Sequence, residues 1–305
     1  LSSLTIVNQN SAVLANSGYA IINGSYNVGL GNKDIGALRT CSHNVGHGVK
    51  ALLNTTGSRN VAVGTTAMND NIGGSDNTAL GNNSLGANTT GAENVAVGAN
   101  ALDANTTGSS NVAVGQGALD TNTTGLQNTA VGHDSMRLNT TGQENVAVGK
   151  GALNANTTAN YNTAVGRSAL GLNTTGADNV TVGRQSLDAN TKGNYKTSIG
   201  PLALSGNTTA AANTAVGYAS LNVNSTGASN VAVGYTALNS NTTASKNTAV
   251  GYQALYDNTT GNNLVSVGFA AHANNTTGSN NLAVGSTDLC SYTTEPAKNA
   301  IGTQA

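Results

Sequence analysis

The chain has 305 residues, a formal net charge of −1, 8% charged and 3% aromatic residues, two prolines and no tryptophan. So little charge leaves no electrostatic case for nucleic acid or an anionic membrane as partner. The absence of any run of about 20 apolar residues predicts no membrane insertion. Regularly placed apolar residues argue against disorder, and two cysteines do not make a disulfide framework.

The chain begins at Leu1 and shows no signal peptide, as a processed product or a fragment would. Residues 1–9 (LSSLTIVNQ) precede the regular pattern and read as an N-terminal cap or joint strand. Residues 10–59 are irregular first coils, in which Asn10, Asn27 and Asn44 are 17 apart and Asn44 to Asn60 is one residue short. The missing residue is placed between Leu52 and Asn54, in a turn. From 60 to 290 the opening Asn recurs at Asn77, Asn94, Asn111, Asn128, Asn145, Asn162, Asn179, Asn213, Asn230, Asn247 and Asn281, with departures at Lys196 and Leu264 and, beyond, Lys298. From 60 to 298 is 238 residues, fourteen times seventeen, without insertion or deletion. A fixed period of this kind marks a repeat architecture. Residues 291–305 read as a C-terminal cap or joint.

Residues 94–110 define seventeen slots, with Asn94 as slot one and Ser110 as slot seventeen. Slot four is Val, Leu or Ile (Val63, Leu80, Val97, Val114) and slot two is mostly Val or Thr. Alternation along a strand puts both on one side, which is read as the core. Slot three, nearly always Ala, then points outward. Slot five is Gly in every regular coil, as a corner with positive φ or a close backbone approach requires. Slots eight and nine (Ala101-Leu102, Ala118-Leu119, Ser135-Met136) read as a second short strand with Leu inward, and Asn-Thr-Thr-Gly at slots twelve to fifteen closes the coil. The predicted fold is all-β: a parallel β-solenoid (β-roll) with 17-residue coils and two short strands per coil. At about 4.8 Å per coil it makes a rod of roughly 80–90 Å.

Burying one Val and one Leu per coil is thin against the entropy of ordering seventeen residues. The Ala column (Ala96, Ala113, Ala130, Ala147, Ala164) therefore reads as a lateral packing face, most simply in a parallel homotrimer. Asn88, Asn105, Asn122, Asn139, Asn156 and Asn173 each begin an Asn-Thr-Thr glycosylation sequon. Either they carry glycans, or the Asn side chains cap the turn through backbone hydrogen bonds. Adjacent Thr-Thr pairs split across two faces and fit ice binding poorly. Tyr218, Tyr235, Tyr252 and Phe269 fill slot six of four successive coils. They form either a stripe on which surface glycans lie or a self-stacking ladder. Cys41 and Cys290, about 70 Å apart along such a rod, cannot pair within one chain. They either join rods head to tail or stay unpaired. No catalytic constellation, metal set or other cofactor site can be assembled; His43 and His47 have no further ligand at metal spacing.

The motif Asn-(Val/Thr)-Ala-(Val/Ile)-Gly-x-x-(Ala/Ser)-Leu resembles the repeats of trimeric autotransporter adhesin heads, and is closer still to the Asn-Thr-Ala-Val-Gly…Asn-Thr-Thr-Gly arrays of bacterial and phage tail-fibre-like proteins. The likeness covers about residues 27–285. It implies a trimeric left-handed β-roll, an extracellular location and a role as spacer or attachment rod. The coils here are three residues longer than the adhesin pattern, around Asn-Thr-Thr-Gly. The expected function is an extracellular structural rod, as a filament subunit or fibre shaft and not an enzyme. Its partner is itself, as a homotrimer or a head-to-tail filament; the alternative is a glycan-binding adhesin or tail-fibre segment.

Overall fold

The computed structural model describes residues 9–13, 16–17, 24–36, 40–289, 293–295 and 297–302. The chain forms two compact units, residues 1–158 and 159–305. The first carries β1 (Ser11–Val13) to β9 (Val146–Val148), the second β10 (Thr163–Val165) to β18 (Asn299–Ile301), every strand three residues long. Within each unit, each strand pairs in parallel with the equivalent strand one coil on. Val95, Ala96 and Val97 face Val112, Ala113 and Val114, and Thr214, Ala215 and Val216 face Val231, Ala232 and Val233. The fold is a parallel β-solenoid with 17-residue coils.

Each coil has one strand, not the two expected. The Leu of slot nine does point inward, and Leu102, Leu119 and Leu153 are fully buried. Its backbone, however, is left-handed: Leu102 has φ 53°, and slots seven and seventeen repeat this at Asn100 (57°) and Ser110 (58°). Left-handed residues curl the chain and are incompatible with an extended strand. Coil-to-coil backbone bonds take the place of the second sheet: Leu102 N–H donates to Ala118 O (3.0 Å) and Ala104 N–H to Asp120 O (3.0 Å). Slot five must be Gly on two counts. At Gly98 φ is 131°, and a Cβ there would lie 2.6 Å from the Gly115 carbonyl carbon.

The interior is one small and one large side chain wide. Slot three, slot eight and slot nine supply its apolar part, as in Ala96, Ala101 and Leu102, all at 0% exposure. The rest is asparagine. The slot-one Oδ1 accepts the backbone N–H of the next slot-one residue: Asn111 N to Asn94 Oδ1 is 3.0 Å and Asn128 N to Asn111 Oδ1 is 2.9 Å. The slot-twelve amides form a second ladder, with Asn105 Nδ2 to Asn88 Oδ1 2.8 Å and Asn122 Nδ2 to Asn105 Oδ1 2.9 Å. A slot-fifteen carbonyl ties the two together, since Gly125 O accepts from Asn111 Nδ2 (2.9 Å) and Asn122 Nδ2 (3.1 Å). Buried amides are tolerated because their groups are paired.

Departures from the repeat keep this interior filled. Where slot nine is Ile35, slot three is Gly in both flanking strands, and a Cβ on Gly46 would lie 2.8 Å from Ile35 Cγ2. In the 16-residue coil Thr55, not Asn54, takes the buried slot-twelve place and accepts from Asn71 Nδ2 (3.1 Å). The lost residue is thus the one before Gly57, not one between Leu52 and Asn54, and the register Val45↔Val61 is undisturbed. The ladder also runs into the C-terminal segment, where Leu282, Ala283 and Val284 face Asn299, Ala300 and Ile301. Residues 1–8 of the expected N-terminal cap lie outside the described residues.

A width set by Ala against Leu makes a direct prediction. Ala130→Leu should destabilise the protein by about 1–3 kcal/mol through overpacking, read as a lower thermal midpoint. Val131→Thr, on the opposite face of the same strand, should leave the midpoint nearly unchanged.

Candidate functional site

The strand faces are the reverse of the sequence expectation. Ala96, Ala113, Ala130, Ala147 and Ala164, expected outside, are each 0% exposed and line the interior. The outward columns are slots two and four; Val180 is 43% and Val182 39% exposed. Alternation pairs slots two and four correctly but does not say which pair goes in. Interior width decides it, because two β-branched residues do not fit where one methyl does. The Ala column therefore cannot be a lateral packing face. What each unit presents instead is a ribbon two side chains wide, of Val and Thr with occasional Leu and Ile.

The sequon asparagines are interior too. Asn88, Asn105, Asn122, Asn139, Asn156 and Asn173 are all 0% exposed. Their amides are engaged in the ladder: Asn139 Nδ2 donates to Asn122 Oδ1 (2.8 Å) and Asn173 Nδ2 to Gly176 O (2.9 Å). A glycan on Nδ2 would have to sit in the core, so these residues carry none in the folded coil. The turn-capping alternative is the one the geometry follows. Asn54 is the exception: the shortened coil moves it outward, where it bonds Asp70 Oδ1 at 3.1 Å.

Cys41 occupies a slot-fifteen position, is 1% exposed, and its Sγ lies 3.7 Å from Thr55 O. Burial raises its thiol pKa. A thiol so placed is shielded from a second chain, which argues against the inter-subunit disulfide. Cys290 lies outside the described residues.

The slot-six aromatics of residues 159–305 form a continuous stack. Tyr218–Tyr235, Tyr235–Tyr252 and Tyr252–Phe269 have ring centroids 5.2, 5.4 and 5.2 Å apart and planes within 16° of parallel. Coplanar rings side by side would collide at this separation, so the faces overlap and are used on each other. The rings remain 43–56% exposed, through their edges. In the first unit Tyr26 and His43 stack similarly at 5.0 Å, in slot seventeen.

Besides Cys41, and Asp34 and Asp288 in the small-residue slot eight, two ionisable side chains are buried inside the repeat, and sequence reasoning gave neither any weight. Lys196 stands in slot one, 1% exposed, with Nζ 2.5 Å from both Asn190 Oδ1 and Asn207 Oδ1. It displaces the ladder bond between those asparagines, and Asn207 Nδ2 is left without a partner. Burial pulls its ammonium down to about 7. His272 replaces the slot-nine Leu, fully buried, with neither ring nitrogen bonded. Burial lowers it to about 4. The signal for both was a charged or polar residue in an otherwise neutral column. Among the described residues no three His, Cys, Asp or Glu side chains gather as metal ligands. No protein-family model matches the chain, and no curated protein is significantly similar to it.

Both groups make pH a probe of the core. Between about pH 7 and the ordinary lysine value of 10.5 the unfolded chain holds a proton that folded Lys196 has released, so stability rises with pH across that window. Lys196→Asn should restore both ladders, raise stability at neutral pH by about 3 kcal/mol, and flatten that rise in thermal melts. For His272 the unfolded chain binds the proton first as pH falls from 6.5 towards 4, so stability is lost over that range. His272→Leu should remove this acid loss, measured as a thermal midpoint that no longer falls between pH 6.5 and 4.

Proposed function

We propose that the chain is an extracellular structural repeat protein, a fibre shaft or filament subunit whose copies associate side by side, most simply as a parallel homotrimer. One observation carries the reading: the outward Val/Thr ribbon. With roughly a third of each side chain in water, the two columns of one nine-strand unit offer on the order of 1,000 Å² of flat, uncharged surface, where a standard interface takes about 800 Å² from each partner. Contiguous apolar patches beyond a few hundred Å² are rare on monomers and mark interaction sites. A second copy is the partner that matches best, because only a surface with the same coil spacing meets this one in register at every coil. The role is mechanical, and each coil commits its interior polar groups to holding the next coil. The extracellular setting is supported by the motif's resemblance to surface-fibre repeats.

Light scattering and negative-stain microscopy test this. The purified chain should run as an elongated particle of several-chain mass. Changing Val95, Val97, Val112 and Val114 to Lys, all on the outward ribbon, should reduce it to single-chain mass with an unchanged circular dichroism spectrum. Single-chain mass for the unmodified protein at every concentration would defeat the proposal.

A further inference from the structure

The slot-six column of residues 159–305 has a composition that stacking alone does not explain. In chain order it runs Arg167, Arg184, Pro201, Tyr218, Tyr235, Tyr252, Phe269, and every one of these residues is exposed. Neither arginine has an ion-pair partner among the described residues; Arg184 donates only to the neighbouring Gln185 Oε1, at 2.8 Å. The flanking columns, slots four and seven, hold no Asp or Glu anywhere between Val165 and Thr287. This strip of the surface therefore carries positive charge only. A ladder serving stiffness alone is met by phenylalanine. Three of the four rings instead carry a hydroxyl, both donor and acceptor, and no hydrogen bond engages those hydroxyls among the described residues.

From this juxtaposition we infer that the slot-six column binds an extended acidic polysaccharide, laid along the coil axis. The three tyrosine rings, each with its hydroxyl, repeat at centroid separations of 5.2 and 5.4 Å, close to the length of one pyranose unit in an extended chain. Each sugar thus meets one hydroxyl. The guanidinium groups of Arg167 and Arg184 pair with uronate or sulfate groups in the two-pronged geometry arginine favours. Contact is with ring edges and hydroxyls, since the inner ring faces are already covered. For the same reason nucleic acid fits poorly: bases bind such proteins by stacking on open aromatic faces. From Arg167 to Phe269 is six coils, about 29 Å, room for a short oligosaccharide. The inference does not rest on the structural reading, because slot six lies outside the ribbon proposed to join copies.

Isothermal titration of the full chain decides it, with oligogalacturonate as the acidic probe, cellohexaose as the neutral one and single-stranded DNA as a polyanion control. Oligogalacturonate should bind, and cellohexaose and DNA at least tenfold more weakly. Y218F/Y235F/Y252F keeps the ring stack and should weaken oligogalacturonate at least tenfold with an unchanged thermal midpoint. R167Q/R184Q should weaken it similarly and flatten its salt dependence. No binding, binding indifferent to the Tyr→Phe changes, or equal binding of DNA would each overturn the assignment; equal binding of cellohexaose would overturn its acidic character.

Discussion

Everything in this solenoid depends on the side-chain amide of asparagine bonding along the coil axis. An interior wide enough for two large apolar side chains would need no polar contents, but one only as wide as Ala against Leu buries too little to hold a coil by itself. The amide supplies the rest. Its oxygen accepts a hydrogen bond from the next coil, its nitrogen donates to a glycine carbonyl in its own coil, and one carbonyl, Gly125 O for example, serves both ladders. Each bond is modest, yet leaving one buried partner unmade is costly. That asymmetry explains why slots one and twelve admit almost nothing but Asn, and why Lys196 disturbs two ladders at once.

Much of this was legible in the sequence. The period, the place of the strand, the glycine corner and the inward Leu followed from spacing alone. What failed was the choice of strand face. The general preference for burying Val over Ala pointed one way, and the width of the interior, which no single coil reveals, pointed the other. The cue was there in the substitutions. Slot three varies only among Ala, Gly, Ser and Thr, all small, whereas slot four accepts His47 and slot two accepts Ser11 and Asn299, which a dry core would not. The second strand failed for a different reason: a run of left-handed Leu, Met and Ile residues is rare enough that no pattern of hydrophobicity announces it.

The surface readings divide along the same line. The Ala column was read as outward because slots two and four were given to the core, and it lies inside; the sequon asparagines, left open between glycan sites and turn caps, lie inside as caps. The aromatic stripe is exposed, and slot six varies freely through Lys, Arg, Pro and Tyr, as a position unconstrained by the interior does. Variability within the repeat was a better guide to exposure than polarity was.

The amide ladders also give each unit an electrical direction. Backbone N–H groups point both ways along the axis, Val95 toward Asn111 and Gly98 toward Leu80, and largely cancel. The asparagine columns do not: in every ladder bond described, the later coil donates and the earlier coil accepts, as from Asn111 to Asn94 and from Asn122 to Asn105. Their dipoles add as those of helix peptides do, with the positive pole toward the first coil of a unit and the negative toward the last. A chain with almost no net charge is thereby polarised from within. Two such ladders laid side by side in the same direction repel through these fields, and in opposite directions attract. In the parallel assembly proposed above, the apolar ribbon would act against that opposing field.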